Sequence, residues 1–319
     1  DMVLGSYYLT MDRMGKAETG AETVWCEDAG DTGLSSQSVV DADEFLAANA
    51  ALGKDQRKAT YRPLHVYANE NEALMAYNEG AIGPHCPILV RRTLEVNGEK
   101  ITRVVPGTPG RIIFNKNIPQ DLGFVDRSDP AHLFDLEVSF LVGKKKLGVI
   151  IDKCIRRHGF TIATEMLDRV KALGYKYSTK GAITVSIADM AIPEKKYALI
   201  EEAEKQTVKI DRQYKRGFLT NDERYRLVVH QWEQTIKDVT GALQENLDRF
   251  NPIYMMADSG ARGSMNQIRQ LAGMRGLMAD TNGRTIEIPI KANFREGLSA
   301  LEYFISSRGA RKGLTDTAL

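Results

Sequence analysis

The clearest pattern of apolar positions lies between residues 193 and 249. Pro193 suits the first position of a helix, and apolar residues then recur at alternating spacings of three and four as far as Gly217. The same spacing returns in the next stretch, which opens on Thr220 and Glu223, the sequence of a capping box. Two helices of similar length joined by a few residues lie antiparallel, so the pattern predicts a coiled-coil hairpin. Its seam residues are Ile200, Ala203, Thr207, Ile210 and Tyr214, then Tyr225, Val229, Trp232, Ile236, Val239, Leu243 and Leu247.

The tip of this predicted hairpin, residues 216–223, combines apolar and acidic side chains. Phe218 and Leu219 have few partners available inside a hairpin, and Asp222 and Glu223 follow them. Two interpretations stay open here: a structural spacer with a solvated tip, or a docking post for another protein.

Residues 1 to about 135 have an irregular pattern that is rich in β-forming residues. Residues 3–4 and 7–10 are strand-like. Asn97-Gly98 stands between two runs of β-branched residues, which predicts a β-hairpin over residues 87–105. A short helix is predicted over residues 70–79.

From residue 136 the apolar period becomes helical. The pattern predicts a helix over residues 144–158 that closes at Gly159, and a second helix that ends near Gly174. Residues 181–188 then return to a strand or an extended path. Strands and helices in separate stretches indicate an α+β fold.

Residues 257–264 form a glycine-punctuated turn that opens onto a helix. Ser264 and Gln267 make a second capping box, and Gly273 ends the helix. A helix N-terminus exposes unpaired N–H groups, and Arg262 adds a planar donor fork beside them. The turn is therefore a candidate site for an anion such as a phosphate.

The charges that follow the turn support this interpretation. No acidic residue occurs between Asp258 and Asp280, whereas Arg262, Arg269 and Arg275 all fall in that stretch. A local positive patch is therefore expected.

The last predicted helix starts at Asn293, which forms a third capping box with Glu296. Gly309 and Gly313 flank Arg311 and Lys312, and each glycine costs a regular helix about 1 kcal/mol relative to alanine. These glycines indicate either a helix end or a hinge.

Composition changes this picture little. The chain has 319 residues, enough for about two domains of roughly 150 residues each. With 43 Lys and Arg against 42 Asp and Glu, the formal charge is +1. This excludes a positive potential over the whole surface that would attract nucleic acid or an anionic membrane. No apolar run approaches the ~18 to 20 residues of a membrane span, so a soluble protein is expected.

Cysteine and histidine usage indicates no metal chemistry. Cys26, Cys86 and Cys154 lack the close spacing of a zinc site and are expected to be small buried side chains in a reducing compartment. The five histidines are scattered and receive no chemical role. The chain begins at Asp1 and stops inside a helical pattern, which is the appearance of a piece of something larger. Residues 27–60 are a polar, acidic segment without a further interpretation.

Two long stretches of the sequence, residues 251–278 and 293–314, closely resemble the largest catalytic subunit of bacterial DNA-directed RNA polymerase, beta-prime. The first contains Ala257-Asp258-Ser259-Gly260-Ala261-Arg262-Gly263-Ser264, and the second contains Gly309-Ala310-Arg311-Lys312-Gly313-Leu314. Weaker resemblance covers residues 1–10 and 192–196, and hence essentially the whole chain.

The resemblance implies names for the parts. Residues 1–188 correspond to the pore region beside the secondary channel, and residues 189–250 to the funnel or rim hairpin. Residues 251–289 correspond to the F loop and its helix, and residues 290–319 to the N-terminal part of the bridge helix.

The resemblance also implies roles for particular residues. Arg262 contacts the phosphates of the incoming nucleotide. The residues implied to support the active centre are Gly260, Gly263, Ser264, Gln267 and Arg269. The hinge and nucleic-acid side of the bridge helix are Gly309, Arg311, Lys312, Gly313, Thr317 and Ala318. The residues implied to bind transcription factors at the hairpin tip are Phe218, Leu219, Asp222 and Glu223.

The family's metal-binding signature, Asn-Ala-Asp-Phe-Asp-Gly-Asp, is absent from this sequence. The resemblance therefore implies Mg²⁺ in the whole enzyme, held by ligands outside this chain, no zinc in this segment, and no catalysis by the segment alone. Implied partners are the rest of beta-prime, the beta, alpha and omega subunits, sigma factor, template DNA, RNA, nucleoside triphosphates and secondary-channel factors, without a membrane. The implied location is the cytoplasm, at the nucleoid.

Two other classes of protein are weighed against this one. A stand-alone interaction protein that displays a helical hairpin arm would need the same seam and caps. A free-standing nucleic-acid-binding protein is disfavoured by the neutral charge and by the lack of aromatic residues among the basic ones.

Overall fold

The computed structural model describes residues 1–12, 66–96, 99–128, 132–280 and 282–318. These residues divide into two compact units, Asp1–Ile183 and Thr184–Leu319. Helices dominate both, and the strands form one small sheet, so the α+β class is confirmed. The expectations for Cys26, for residues 27–60, for the Asn97-Gly98 turn and for Leu319 lie outside the described residues.

The chain opens with helix α1, Met2–Thr10, where the sequence predicted strand-like segments. That prediction was wrong because six of the nine residues of α1 are buried, so its side chains show no helical period of apolar and polar positions. Two hydroxyl groups also bond within the helix: Ser6 Oγ donates to Met2 O at 3.0 Å and Thr10 Oγ1 donates to Ser6 O at 2.9 Å.

The sheet of the first unit contains β1 (Val66–Tyr67), β2 (Ile88–Val96) and β3 (Glu99–Gly107). β1 runs parallel to β2, and β2 pairs antiparallel with β3 from Ile88 opposite Gly107 to Val96 opposite Glu99. The predicted β-hairpin is confirmed.

Two short helices flank this sheet. The predicted helix after residue 70 is α2, Glu70–Asn78, and Asn69 caps it. Helix α3, Pro109–Asn115, begins after Thr108, whose hydroxyl accepts a hydrogen bond from the Arg111 amide at 3.2 Å. Each helix therefore starts where a side-chain oxygen accepts a hydrogen bond from a backbone N–H that has no partner within the helix.

The long helix α4, Lys144–Gly181, packs against α1. Its backbone breaks at Gly159 (φ 78°, ψ −178°), which confirms the predicted helix end there. The second half continues past Gly174 to Gly181, beyond the predicted end. Gly174 instead serves a close helix crossing, because a Cβ atom on Gly5 would lie 1.9 Å from Gly174 O and one on Gly174 would lie 2.5 Å from Met2 O.

The core of the first unit lies between α1, α4 and the segment before α4. Cys86 and Cys154 are both buried, as predicted. Asn115 supports this core with a polar clamp: its Nδ2 donates to Val138 O at 2.8 Å, and its Oδ1 accepts from Val138 N at 2.9 Å.

The second unit starts with an extended segment and a single turn of 3-10 helix, Ile187–Asp189, so no strand forms over residues 181–188. Five helices follow: α5 (Lys195–Lys215), α6 (Asn221–Asn246), α7 (Pro252–Asp258), α8 (Met265–Ala272) and α9 (Ala300–Ala318).

Helices α5 and α6 form the predicted antiparallel hairpin, although α5 begins two residues after Pro193. The seam also differs in detail. Val228 is buried in place of Val229, and Tyr214 is exposed. The reason is a third neighbour, because Trp232 and Val239 also pack in one cluster with Met274 from the segment after α8.

The start predicted for the last helix was wrong. The Asn293–Glu296 box is formed, but it closes a single turn because Gly297 follows at φ 86°. Helix α9 begins at Ala300, where the Ser299 amide and hydroxyl donate to Glu302 Oε2 at 3.1 and 2.9 Å. It then runs through both Gly309 and Gly313, which excludes a helix end at either position.

We expect Gly5→Ala to lower the free energy of unfolding by about 3 kcal/mol, because the added methyl group would overlap a backbone carbonyl of α4. Gly148→Ala is the matched control: it lies in α4 with no atom within 4 Å of the added methyl, and we expect stabilisation by up to about 1 kcal/mol. Urea unfolding followed by circular dichroism measures both. Equal stabilities would contradict the crossing.

Candidate functional site

The glycine-punctuated turn follows α7, whose start is fixed by Asn251. The Asn251 Oδ1 accepts from the Ile253 amide at 3.0 Å, and its Nδ2 donates to Asp189 O at 2.7 Å. This one side chain therefore both caps α7 and ties it to the segment that precedes the hairpin.

The turn itself is held by Ser259 and two left-handed glycines. Gly260 has φ 74° and Gly263 has φ 88°, a region that other residues avoid. The buried Ser259 hydroxyl donates to Met256 O at 3.1 Å and accepts from the Ala261 amide at 3.3 Å. The Arg262 amide donates to Met256 O at 3.1 Å. The backbone of the turn is thus fixed by internal hydrogen bonds.

The side chain of Arg262 is exposed and forms no hydrogen bond or ion pair within the described part of the chain. Beside it, α8 begins with the predicted capping box, in which the Ser264 amide donates to Gln267 Oε1 at 3.0 Å, and ends at Gly273 as predicted. The first turn of a helix leaves N–H groups without carbonyl partners. A free guanidinium and a helix N-terminus therefore lie next to each other, an arrangement suited to an anion.

Two further arginines keep uncompensated charge near α8. Arg269 and Arg275 are half-buried, and the buried Nε atom of each has no hydrogen-bond partner among the described residues. Burial lowers the pKa of both guanidinium groups, although not enough to discharge an arginine. The Arg275 guanidinium lies 4.7 Å from the centre of the Phe294 ring.

Asn293 ties α8 to the turn that leads into α9. Its side chain is fully buried, and its Nδ2 donates to Ala272 O and to Gly273 O, both at 3.1 Å. Its Oδ1 accepts from the Glu296 amide at 2.8 Å. The sequence identified Asn293 only as a cap, since a contact with carbonyls twenty residues earlier leaves no local signal.

An ion pair between the buried Lys196 and the partly buried Glu296 side chain links the same turn to the base of the hairpin. Lys196 Nζ lies 2.5 Å from Glu296 Oε2, and the Tyr197 hydroxyl donates to Glu296 Oε1 at 2.6 Å. Burial alone raises the pKa of the Glu296 carboxyl, yet the hydrogen bonds from Lys196 and Tyr197 outweigh it and hold that pKa below its usual value. This pair was not predicted from the sequence, because it joins residues 100 positions apart and leaves no local signal.

The residues singled out on α9 have distinct environments. A Cβ atom on Gly309 would lie 2.3 Å from the Met278 methyl group, whereas one on Gly313 would meet nothing within 4 Å. Lys312 Nζ donates to Asp280 O at 3.2 Å, and Thr317 Oγ1 donates to Gly313 O at 2.7 Å. Arg311 and Ala318 are exposed.

The hairpin tip is built by two end motifs. Gly217 is left-handed at φ 80°, and the Phe218 amide donates back to Gln213 O at 3.1 Å, which closes α5. Glu223 Oε2 accepts from the amide and the hydroxyl of Thr220, both at 2.8 Å, which opens α6.

The four predicted docking residues therefore differ in what they can offer a partner. Phe218 is 75% exposed, and the Asp222 carboxylate pairs with Arg226 at 3.7 Å. Leu219 is half-buried, and the Glu223 carboxylate caps α6.

A paired ribbon that was not predicted from the sequence joins residues 276–280 to residues 284–290. Gly276 and Ile290 exchange two backbone hydrogen bonds of 2.9 Å, and the Asp280 amide donates to Arg284 O at 2.8 Å. Asn282-Gly283 stands at the turn, with Gly283 at φ 84°. The same dipeptide marked the hairpin of the first unit, so this signal was present in the sequence.

The described ranges contain neither a metal-binding cluster of side chains nor a membrane-spanning helix. Within them, no three His, Cys, Asp or Glu side chains lie close enough together to hold a metal ion. No helix in these ranges combines the length and the apolar character needed to cross a bilayer.

Comparison with known proteins places the chain in a family. The family model described as RNA polymerase Rpb1, domain 3, matches residues 1–190, and the model for RNA polymerase Rpb1, domain 4, matches residues 202–295. The chain belongs to this family of RNA polymerase largest subunits, which confirms the resemblance found from the sequence.

The individual relatives are bacterial. The DNA-directed RNA polymerase subunit beta' of Clostridium novyi (strain NT) is 50% identical over all 319 residues, and that of Acetivibrio thermocellus is 51% identical over the same length. The subunit beta' of Caldanaerobacter subterraneus subsp. tengcongensis is 57% identical over 253 residues, 79% of this chain. The chain spans 21 to 24% of the length of these three relatives.

We expect Lys196→Met to lower the free energy of unfolding by about 2 kcal/mol near neutral pH, because it leaves the partly buried Glu296 carboxylate without its ammonium partner. A group whose pKa is lowered on folding stabilises above its unfolded pKa and loses that effect as the pH falls through its folded pKa. The difference from the parent chain should therefore shrink below about pH 4.

Lys195→Met is the control for this measurement. Lys195 pairs with Glu245 at 3.3 Å with both side chains about three-quarters exposed, so we expect a change below about 1 kcal/mol. Urea unfolding at several pH values measures both variants. If the loss of unfolding free energy in Lys196→Met does not change with pH, packing and not the ion pair is responsible for it.

Proposed function

We propose that this chain works as a segment of the catalytic largest subunit in DNA-directed RNA synthesis. The observation that carries the proposal is the identity of about half of all positions, along the whole chain, with proteins named DNA-directed RNA polymerase subunit beta'. In this proposal residues 1–188 form the pore beside the secondary channel and residues 189–250 the rim hairpin. Residues 251–289 form the F loop with its helix, and residues 290–319 begin the bridge helix.

Arg262 binds the phosphates of the incoming nucleoside triphosphate in this proposal. Its exposed, unpaired guanidinium beside the start of α8 supports the role, since phosphate is the dianion that a donor fork and a helix N-terminus recognise together. Gly260 and Gly263 shape the turn, and Ser264 and Gln267 close the cap behind it. Arg269 adds charge that no described acidic group neutralises.

Helix α9 acts as the moving element in this proposal. Gly309 and Gly313 provide the hinge, since both lie inside a continuous helix that their low propensity weakens. The exposed residues Arg311, Thr317 and Ala318, together with Lys312, face the nucleic acid.

The chain alone supplies positioning and no metal chemistry. Magnesium would stabilise charge on the transferring phosphoryl group in the whole enzyme. Because the family's signature Asn-Ala-Asp-Phe-Asp-Gly-Asp is absent from the sequence, the metal in this proposal would be held by residues outside this chain.

The remaining partners follow from the same proposal. They are the rest of beta-prime, the beta, alpha and omega subunits, sigma factor, template DNA and RNA, with the assembly acting in the cytoplasm at the nucleoid. The hairpin tip serves as the docking post for secondary-channel factors, which the exposed Phe218 ring supports. Apart from that tip, no observation favours a stand-alone interaction protein.

In polymerase assembled with the full subunit, we expect Arg262→Ala to raise the apparent KM for nucleotides about tenfold or more, the effect of losing one charge-assisted phosphate contact. The KM of Arg262→Lys should lie between those of the parent and of Arg262→Ala, because an ammonium group keeps the charge but not the planar pair of donors. Steady-state elongation assays measure both. Arg169→Ala is the control, since that arginine is exposed and pairs only with Glu165 at 3.5 Å. Unaltered KM and kcat would remove Arg262 from the site.

We expect Phe218→Ala and Asp222→Lys each to weaken binding of a purified transcript-cleavage factor to the assembled polymerase by about tenfold, as for an exposed anchor residue at an interface. Glu223 is left intact because its carboxylate caps α6. Asp238→Lys makes the same charge change on the same helix, several turns away, and is the control. Fluorescence titration measures the affinities, and equal binding by all variants would make the tip a spacer.

A further inference from the structure

One side of the ribbon, residues 276–290, is fastened to the hairpin just behind its tip. The Arg224 guanidinium donates to both carboxylate oxygens of Glu287, at 2.7 and 3.0 Å. The Tyr225 hydroxyl donates to Thr285 O at 3.0 Å, and the Arg284 guanidinium lies 4.3 Å from the centre of the Tyr225 ring. Both hairpin residues belong to the first turns of α6, next to the tip.

The other side of the ribbon is fastened to α9 around Gly309. Arg308 lies 3.2 Å from an Asp280 carboxylate oxygen, and Lys312 Nζ donates to the Asp280 carbonyl at 3.2 Å. Met278 occupies the space that a side chain at position 309 would need. These contacts bracket Gly309 on both sides along the helix.

The two sides belong to one hydrogen-bonded ladder. The Ile286 amide donates to Met278 O at 2.8 Å, and the Asp280 amide donates to Arg284 O at the same distance. A paired ribbon shifts as a unit, because moving one strand alone breaks these bonds. An isolated two-stranded ribbon is only marginally stable, so its position depends on what holds it at each end.

Polar contacts hold residues 284–288 to α6, whereas Leu277 packs against the apolar cluster of the hairpin seam. A cleft of about 360 Å³ opens beside the ribbon, lined by Tyr225, Asp280 and residues 284–288. Residues 284–288 are held to α6 by the Arg224–Glu287 ion pair and by the contacts of Tyr225 with Thr285 and Arg284.

From this arrangement we propose that the ribbon is a mechanical link between the hairpin tip and the helix at Gly309, with Arg224, Glu287 and Asp280 as its positioning residues. A protein that binds the tip and displaces Arg224 thereby changes how freely α9 bends at Gly309. The link itself is a property of the fold, and its effect on RNA synthesis rests on the proposed function.

Hydrogen–deuterium exchange tests the link without using nucleotides, so its outcome is independent of the outcome for Arg262. We would compare polymerase assembled with the parent subunit and with Arg224→Gln, Glu287→Gln or both. The amides of residues 307–313 should exchange at least threefold faster in either single variant. The double variant should match Arg224→Gln, because that variant already removes the Glu287 contact together with the contacts of Arg224 to Asp211, Asn221 and Tyr214. Arg226→Gln, an exposed neighbour on α6, is the control and should leave these amides unchanged.

Unchanged exchange at residues 307–313, with faster exchange confined to residues 284–288, would overturn the link. An additive double variant would overturn it as well. If Arg224→Gln also speeds exchange around Trp232 in the hairpin seam, Glu287→Gln decides the question, since Glu287 lies outside the hairpin.

Discussion

The second unit depends on the fully buried side-chain amide of Asn293. The last carbonyls of a helix have no partner within it, and this amide satisfies two of them at the end of α8, on Ala272 and Gly273. The contact fixes the short turn after Asn293. That turn presents Glu296 to Lys196 at the hairpin base and places Phe294 beneath Arg275. The Asn293 amide thus fixes three parts relative to one another, namely the hairpin, the start of α9 and the turn that contains Arg262.

What could be predicted from the sequence was what short-range chemistry decides. The hairpin and its Thr220–Glu223 cap follow from spacing within one helix, and the β-hairpin follows from one dipeptide. Helix α1 was not predicted because it is buried on nearly every side, so its apolar residues show no helical period. The start of α9 was predicted too early, because the capping box at Asn293 closes only one turn before the left-handed Gly297. At the site, the turn, its cap and the free Arg262 were predictable. The Asn293 tie was not, because it joins distant residues.

Charge is distributed unevenly in this nearly neutral chain. On the hairpin, Lys205 pairs with Glu201 at 2.7 Å, and Arg224 is held by Glu287. Arg269 and Arg275, in contrast, have buried nitrogens with no described partner. Leaving such buried donors unpaired costs stability. The net charge of +1 conceals this local imbalance.

The crossing of Gly5 and Gly174 has a consequence for the order of folding. Helix α1 has nine residues, too few to persist alone in water, and its packing partner lies far along the chain. At about 5–20 residues per second, a ribosome needs on the order of 10–30 s to make the intervening chain. During that interval the apolar surface of α1 has no native partner in the second half of α4. A chaperone that binds Met2–Thr10 during this interval would cover the surface that the second half of α4 later covers.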